Sequence, residues 1–257
     1  MSLISDPIRN NPLKRLAKSA FHFILPPRCL GCDGLVADQG GLCATCWQDM
    51  PFIEKPVCDR TGKPLVFDLG ENILSAEAMA NPPIYRKMRA ATRYDGTARR
   101  LILSYKFYDR LDLAPHLARL MVRAGEDILC EADIIIPVPL HRKRLFKRRF
   151  NQSAELAKQI SKLTDIPNSL DALHRIRPTK QQTSLEFNER HKNVEGAFRV
   201  PASESGNVRG KKIILIDDVV TTGATINACI RALLREKAHH IDVIAFSRVV
   251  EQEDITL

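Results

Sequence analysis

The chain has 257 residues, 44% of them hydrophobic, and its formal net charge is +9 at pH 7. That length and apolar content suffice for a full α/β core and leave room for a second, smaller module. No run of about 18 apolar residues occurs, which argues against a transmembrane helix. The first 25 residues also lack the continuous apolar core and cleavage site of a secretory signal, so we expect a cytoplasmic protein.

The first 25 residues predict an amphipathic helix instead of a signal. Its apolar face would consist of Leu13, Leu16, Ala17, Ala20, Phe21 and Ile24. Such a face either packs on the body of the protein or lies on a membrane surface, and packing is the commoner outcome.

Four cysteines then occur at the spacing of two zinc knuckles. They form two C-x₂-C pairs separated by ten residues, Cys29 with Cys32 and Cys43 with Cys46. Two such turns place four thiolates around one Zn²⁺, and a closed site of this kind stabilises a fold without doing chemistry. The alternative is a pair of disulfides in an exported protein, which the missing signal disfavours. We therefore predict one structural zinc.

Cys58 begins what looks like half of another knuckle, with Thr61 in the place of the second cysteine and Gly62 after it. A hydroxyl is a poor zinc ligand beside thiolates, so we predict that Cys58 binds no metal and is the remnant of a second ribbon turn. The remaining cysteines, Cys130 and Cys229, are isolated in the sequence, and we expect both to be small buried apolar residues.

Glycines and prolines between residues 62 and 83 predict a linker, and the charge changes at the same place. Residues 1–80 carry a net charge of −1, whereas residues 81–150 carry +9, equal to the charge of the whole chain. We therefore predict an N-terminal helix and zinc-ribbon domain over residues 1–75 and a larger domain over residues 76–257. The basic quarter suits a polyanionic partner, although solvated helix faces also carry such charge.

The larger domain begins with a predicted strand near Met88 to Tyr94 and helices from Thr97 to about Phe107 and from Leu113 to about Ala124. An apolar run at residues 134–136 predicts a buried strand that must end at Pro137, because proline cannot donate to a sheet. After it come Val138, Pro139, Leu140 and then six basic residues, Arg142, Lys143, Arg144, Lys147, Arg148 and Arg149.

The most informative segment lies at residues 212–230. Ile213 to Ile216 predict a buried strand that ends at two acids, Asp217 and Asp218, and helical spacing resumes at Ile226. The loop between them contains Thr221, Thr222, Gly223, Ala224 and Thr225. A strand, a loop and a helix start gather N–H groups and hydroxyls that suit a phosphate, and acids suit sugar hydroxyls. The ordinary alternative is a corner at which one Asp caps the helix.

This segment resembles the signature of the phosphoribosyltransferase family, which implies an α/β, parallel-sheet type I phosphoribosyltransferase fold after the small zinc-ribbon module. The resemblance implies that Asp217 and Asp218 hold the ribose hydroxyls of phosphoribosyl pyrophosphate (PRPP). It also implies that the loop from Thr221 to Thr225 surrounds the 5′-phosphate. If the strand at residues 134–136 is a parallel neighbour, Val138 to Leu140 lie at the same edge and face the diphosphate with its Mg²⁺.

A narrower resemblance covers most of the chain, from about Cys29 to Arg248. Its further motifs are Tyr105-Lys106-Phe107, Pro137-Val138-Pro139-Leu140, Arg148-Arg149-Phe150-Asn151-Gln152-Ser153, Gln182-Thr183-Ser184-Leu185 and Glu189-Arg190-His191-Lys192-Asn193-Val194. In this order they resemble the ComF family of competence-associated, phosphoribosyltransferase-like proteins. That family often has Arg-Gly-Phe-Asn-Gln where this chain has a second arginine, Arg149, which bears on the shape of the basic loop.

The polar segment from Arg177 to Gly196 lies where phosphoribosyltransferases of this type have a loop that closes over PRPP and excludes water. The resemblance makes Lys180, Gln182 and Arg190 candidates for contacts with pyrophosphate. Lys180 and Arg190 would then join Asp217 and Asp218 as the catalytic set. A solvated surface connection is the equally simple alternative.

Two hypotheses for function follow. The resemblance implies an enzyme that transfers the phosphoribosyl group of Mg²⁺-bound PRPP to an unidentified acceptor, in a protein associated with competence and the DNA-uptake machinery. The alternative is a non-catalytic module that senses PRPP and binds single-stranded DNA through its basic quarter. Glutamine-dependent amination is disfavoured, because Cys29 lies well inside the chain.

Overall fold

The computed structural model describes residues 26–68, 70, 72–108, 110–140, 150–177 and 196–250. The chain divides into two compact units, Met1–Gln48 and Asp49–Leu257. The predicted N-terminal helix, the basic run at residues 141–149 and the segment with Lys180, Gln182 and Arg190 lie outside the described residues. Within those ranges, no helix is both long and apolar enough to cross a membrane.

In its described part, the first unit contains a bridge between Arg28 and Leu35 and a short helix, α1 (Ala44–Gln48). The second unit contains a short helix, α2 (Ala76–Ala80), before the first sheet strand, β1 (Met88–Arg93). Two backbone bonds join the start of this unit to β1: Ile53 N–H donates to the carbonyl of Ala91, and Arg93 N–H donates to that of Pro51. The domain boundary that we predict after residue 75 stays a prediction.

The remaining elements of the second unit are a mixture of helices and strands. In chain order they are α3 (Gly96–Phe107), α4 (Ala114–Ala124), α5 (Glu126–Leu129), β2 (Ile134–Pro137), α6 (Gln152–Thr164), β3 (His174–Arg175), β4 (Phe198–Arg199), α7 (Ser205–Val208), β5 (Lys212–Val220), α8 (Ala224–Arg235) and β6 (His240–Arg248). Single 3₁₀ turns precede α4 and α7, at Leu111–Leu113 and Ala202–Glu204.

Four parallel strands form the main sheet in the order β1-β6-β5-β2, while β3 and β4 form a separate antiparallel pair. In the centre of the sheet, Leu215 lies in register with Ile136 on one side and with Val243 on the other. Every residue of β2 is buried, as is every residue of β6 after His240. Continuous apolar strands of this kind are typical of parallel sheets covered on both faces. The predicted parallel α/β fold is therefore confirmed.

The strand β5 is longer than predicted. We expected it to end at Ile216, but it continues through both acids to Val220. Asp217 pairs in register with Ala245, and Val220 pairs with Arg248, because β6 supplies a buried partner along this whole length. The two acids consequently lie on a hydrogen-bonded strand instead of a loop, which fixes the direction of their side chains.

Candidate functional site

The four paired cysteines come together in the first unit. Their Sγ atoms all lie within 4.8 Å of one another, and those of Cys32 and Cys43 are 3.7 Å apart. Tetrahedral Zn–S bonds of about 2.3 Å require sulfurs separated by about 3.8 Å. Cys29 accepts backbone N–H bonds from Gly31 and Cys43; burial disfavours its thiolate, but these bonds outweigh burial and lower its pKa to about 6. The residues fit a structural Zn²⁺.

The other three cysteines lie apart from this cluster. Cys58 is buried, and the four-cysteine set is the only group of three or more potential metal ligands found among the described residues. Cys229 is buried on α8, as expected. The expectation for Cys130 is wrong: it is exposed, because it follows α5, whose buried positions are Ile128 and Leu129.

The second unit brings the two acids of β5 against residues of two helices. Lys106, in the last turn of α3, places Nζ 3.0 Å from Oδ1 of Asp218, and the Lys106 and Asp218 side chains are only 19% and 10% exposed. Ser153, at the start of α6, donates from Oγ to Oδ1 of Asp217 at 3.0 Å. The backbone N–H of Asp218 donates to the same oxygen at 2.9 Å. The acids therefore form one polar cluster with a lysine and a serine.

The charge of Asp217 is disfavoured in this cluster. Burial raises the pKa of Asp217 to about 7, and the negative charge of Asp218 adds to the effect. The charge of Lys106 and the hydrogen bonds from Ser153 and from the Asp218 backbone lower this pKa, but they offset only part of the rise. A cation or a hydroxyl donor placed beside the two carboxylates would relieve this repulsion, which makes the cluster a candidate ligand site.

The start of α6 is tied to the end of β2. Asn151 caps α6 by accepting the N–H of Ser153 at 3.2 Å, and its Nδ2 donates to the carbonyl of Val138 at 3.1 Å. From α3, the buried Tyr105 hydroxyl donates to the carbonyl of Gln152 at 2.9 Å. Three separate sequence motifs thus meet at the carboxyl edge of the sheet.

The turn after β5 places a helix start beside the acids. Thr221 is exposed, Thr222 and Gly223 are half-buried, and α8 begins at Ala224. Gly223 stands at the N-cap position with φ +72° and gives no side-chain cap, so the alternative of an aspartate cap is wrong. The Oγ1 atom of Thr222 is buried and has no hydrogen-bond partner within the described part of the chain. An unsatisfied buried hydroxyl at a helix start is consistent with a bound anion.

The segment predicted for the diphosphate is only partly suited to it. The N–H of Val138 donates to the carbonyl of Ile216 at 2.9 Å and is therefore used by the sheet. Pro139 has no N–H to offer. A backbone N–H bond to an anion would therefore have to come from Leu140 or from a residue after it.

Sequence reasoning gave no individual role to Lys106, Ser153 or Asn151. They stood in motifs that carried only the family resemblance. One local signal was present for α6, since Asn-Gln-Ser directly before an apolar helical pattern is typical of a capped helix start. No such signal pairs Lys106 with Asp218, because that contact joins distant parts of the chain.

Comparisons with known proteins agree with this geometry. A family model described as a double zinc ribbon domain matches residues 20–79, and one described as a phosphoribosyl transferase domain matches residues 149–253. Competence protein F of Haemophilus influenzae is 30% identical over 227 residues, which cover 86% of this chain and 96% of that protein. DNA utilization protein YhgH of Escherichia coli K12 is 28% identical over 221 residues, 84% of this chain and 94% of that protein.

A third relative matches a shorter part. Competence protein ComFC of Bacillus subtilis is 30% identical over 118 residues, which cover 45% of this chain and 44% of that protein. The match to competence protein F covers more than two thirds of both chains at 30% identity. The chain therefore belongs to the ComF family, in which a double zinc ribbon precedes a phosphoribosyltransferase domain.

Proposed function

We propose that this protein binds PRPP together with its Mg²⁺ at the carboxyl edge of the sheet. The observation that carries the proposal is the cluster of Asp217 and Asp218 with Lys106, directly before the turn that contains the unsatisfied Thr222 hydroxyl. Carboxylates accept hydrogen bonds from ribose hydroxyls and provide the oxygen ligands that Mg²⁺ prefers. A helix N-terminus suits the phosphate at the other end of the sugar.

Each part of the site has a proposed role. Asp217 and Asp218 hold the ribose hydroxyls, and the turn from Thr221 to Thr225 surrounds the 5′-phosphate. The Thr222 hydroxyl supports this placement, since a phosphate oxygen would supply the partner that it lacks among the described residues. Lys180 and Arg190 are assigned to the pyrophosphate on the family resemblance alone.

We further propose that bound PRPP serves the process for which the relatives are named, competence and DNA utilization. In a transfer, a nucleophile of the acceptor bonds to the anomeric carbon, and pyrophosphate leaves with the electrons of the broken C–O bond. Release of pyrophosphate in the presence of candidate acceptors would measure it. Tight PRPP binding without release for any acceptor would favour the alternative, a PRPP sensor that binds single-stranded DNA.

We also propose that the protein acts in the cytoplasm. The support is chemical: the four clustered cysteines fit a zinc site, and cysteines bind zinc only as reduced thiolates, which suits a reducing compartment. Fractionation of cells that express a tagged chain would test the location.

The first prediction tests the PRPP site directly. Changing Asp217→Ala together with Asp218→Ala should weaken PRPP binding at least tenfold, because each lost contact to a charged group is worth about 1.5–3 kcal/mol. Calorimetric titration with Mg²⁺-PRPP would measure the affinity. The matched control is Glu126→Ala with Glu131→Ala, which also removes two carboxyl groups, but from exposed residues that precede β2. If the Asp217/Asp218 variant and the control variant both fold and bind PRPP with equal affinity, the proposed site is ruled out.

A further inference from the structure

The second half of the double zinc ribbon has fewer cysteines than a zinc site requires. The matching family model covers residues 20–79, but four of the five cysteines in that range lie in its first half. The second half contains only Cys58, which cannot hold a structural zinc alone. The backbone around Cys58 nevertheless repeats the geometry of the metal-binding half.

The first turns of the two halves match bond for bond. Cys29 N–H donates to the carbonyl of Gly34 at 2.7 Å, and Cys58 N–H donates to that of Lys63 at 2.8 Å. In the return bonds, Asp33 N–H donates to Cys29 O at 2.9 Å, and Gly62 N–H donates to Cys58 O at 2.8 Å. The fourth residue after each cysteine has a left-handed backbone, with φ of +59° at Asp33 and +64° at Gly62. Cys58 therefore occupies the place of Cys29, and Thr61 that of Cys32.

The second turns match in the same way. Cys43 N–H donates to the sulfur of Cys29 at 3.2 Å, and Ser75 N–H donates to the sulfur of Cys58 at 3.3 Å. Cys46 N–H then donates to Cys43 Sγ at 3.4 Å, whereas Ala78 N–H donates to Ser75 Oγ at 3.3 Å. A short helix begins directly after Cys43 in the first half, α1 at Ala44, and directly after Ser75 in the second half, α2 at Ala76. Ser75 thus stands in the place of Cys43, and Ala78 in that of Cys46.

The four positions of the second half are therefore Cys58, Thr61, Ser75 and Ala78, which do not fit Zn²⁺. Two hydroxyls and a methyl replace three thiolates, and neutral hydroxyls are poor ligands for this metal. Thr61 and Ala78 are buried, and the Ser75 hydroxyl caps α2. Hydrogen bonds and apolar packing occupy the place that the metal takes in the first half.

Packing on the sheet gives this half a support that does not require metal. Met88 N–H donates to the carbonyl of Arg60 at 2.9 Å, and Arg89 donates to that of Asp59 at 2.7 Å. An added Cβ on Gly62 would lie 2.3 Å from the Met88 carbonyl oxygen, which shows how closely this turn lies against β1. Contacts of this kind can hold the turn in the absence of a zinc crosslink.

We infer that the two turns at Cys58–Lys63 and Ser75–Ala78 are a zinc-free copy of the first knuckle pair, so the protein binds one zinc per chain, and that three substitutions would create a second site. The substitutions are Thr61→Cys, Ser75→Cys and Ala78→Cys, which complete a four-thiolate set on a backbone that already has the required turns. This inference is independent of the PRPP site.

Metal analysis of purified protein tests the inference. We expect one zinc per native chain and two per triple variant, and cobalt-loaded protein should show twice the thiolate-to-metal absorption. A matched control, Thr61→Ser with Ser75→Thr and Ala78→Ser, should still hold one zinc. Two zinc ions in the native chain would overturn the inference, as would one zinc in a folded triple variant.

A second measurement covers the case in which the triple variant fails to fold. Cys58→Ser in the native chain should leave the zinc content at one, whereas Cys29→Ser should reduce it. A loss of zinc on Cys58→Ser would also overturn the inference, because a zinc-free knuckle has no metal to lose.

Discussion

At the scale of single residues, Asp217 gives the site a measurable dependence on pH. Burial, with the charge of Asp218, raises the pKa of Asp217 to about 7, whereas an aspartate in an unfolded chain has a pKa of about 3.9. The folded protein therefore binds the proton more tightly than the unfolded chain does. The resulting stability is fully present below a pH of about 4 and is lost as the pH rises through about 7.

The change Asp217→Asn should remove this dependence. At pH 8 the variant should be more stable than the native protein by at least about 1.4 kcal/mol, the worth of one pKa unit. At pH 4 the gain should vanish, because the native carboxyl is then neutral. Urea unfolding at the two pH values measures both numbers. Asp218→Asn is the comparison: it should give no gain at pH 8, since Lys106 loses its ion pair. An equal effect of Asp217→Asn at both pH values would contradict the assignment.

The ion pair of Lys106 with Asp218 should be worth more than an exposed pair. Both side chains are largely buried, so a double-mutant cycle with Lys106→Met and Asp218→Asn should give a coupling of about 1.5–3 kcal/mol. The same cycle on Arg110 and Asp112, whose side chains are 32% and 54% exposed, should give less than about 1 kcal/mol. Similar couplings for the two pairs would show that Lys106 is solvated and does not neutralise the site.

The identity of the acids could be predicted from the sequence, but their partners could not. The adjacent pair Asp217 and Asp218 stands out because it follows an apolar run and precedes threonines and a glycine. Lys106 and Ser153 reach it from two helices, and only the tertiary fold decides which polar side chains lie beside the acids. Local spacing contains no information on such contacts.

At the scale of elements, Gly223 and Gly210 provide a matched pair of turns at opposite ends of β5. Gly223 has φ +72° and Gly210 has φ +70°, and an added Cβ would meet no atom within 4 Å at either position. Alanine in this conformation costs about 1–2 kcal/mol, so both Gly→Ala variants should lose similar stability. Only Gly223→Ala should weaken PRPP binding, because its methyl enters the space in which a phosphate would approach the backbone.

Thermal unfolding and calorimetric titration of the two glycine variants measure these effects separately. Equal losses of PRPP affinity in both would mean that the affinity follows stability alone. Loss in Gly223→Ala only would place the phosphate at the start of α8.

Elements were predicted well where nearby residues in the sequence determine them, and poorly where contacts with a distant part of the chain do. The zinc knuckles follow from the spacing of four cysteines. The end of β5 was placed too early, because pairing with β6 extends the strand through polar residues. The repeat of the first knuckle around Ser75 and Ala78 was missed for a related reason: hydrogen bonds preserve it, while the residue types have changed.

At the scale of the whole molecule, the basic charge is unevenly available to a partner. Residues 81–150 carry a net charge of +9, but many of their described basic residues are engaged in ion pairs. These residues are Arg86, Lys87, Arg89, Arg100, Lys106 and Arg110. The six basic residues between positions 141 and 149 lie outside the described residues, and they form the densest basic run in this quarter of the sequence, so they are the candidates for attracting a polyanion.

That group is joined to the proposed PRPP site through the residues on either side of it. Val138 precedes it directly after β2, and Asn151 follows it as the N-cap of α6. The 3.1 Å hydrogen bond between these two residues holds both flanks at the carboxyl edge of the sheet. PRPP and single-stranded DNA are both polyanions. If each draws on the same basic residues, binding of one must reduce the affinity for the other by an equal factor.

We therefore expect competition between DNA and PRPP. Affinity for single-stranded DNA, measured at fixed ionic strength, should fall when Mg²⁺-PRPP is saturating. Changing Arg142, Lys143, Arg144, Lys147, Arg148 and Arg149 to glutamine should weaken DNA binding and flatten its dependence on salt, since fewer counterions are then released. A control with six exposed basic residues changed elsewhere, Lys158, Lys162, Arg209, Lys211, Arg231 and Arg235, should retain both the affinity and the competition. Tighter DNA binding in the presence of PRPP would contradict the shared charge and would instead favour a sensor in which PRPP orders the DNA-binding segment.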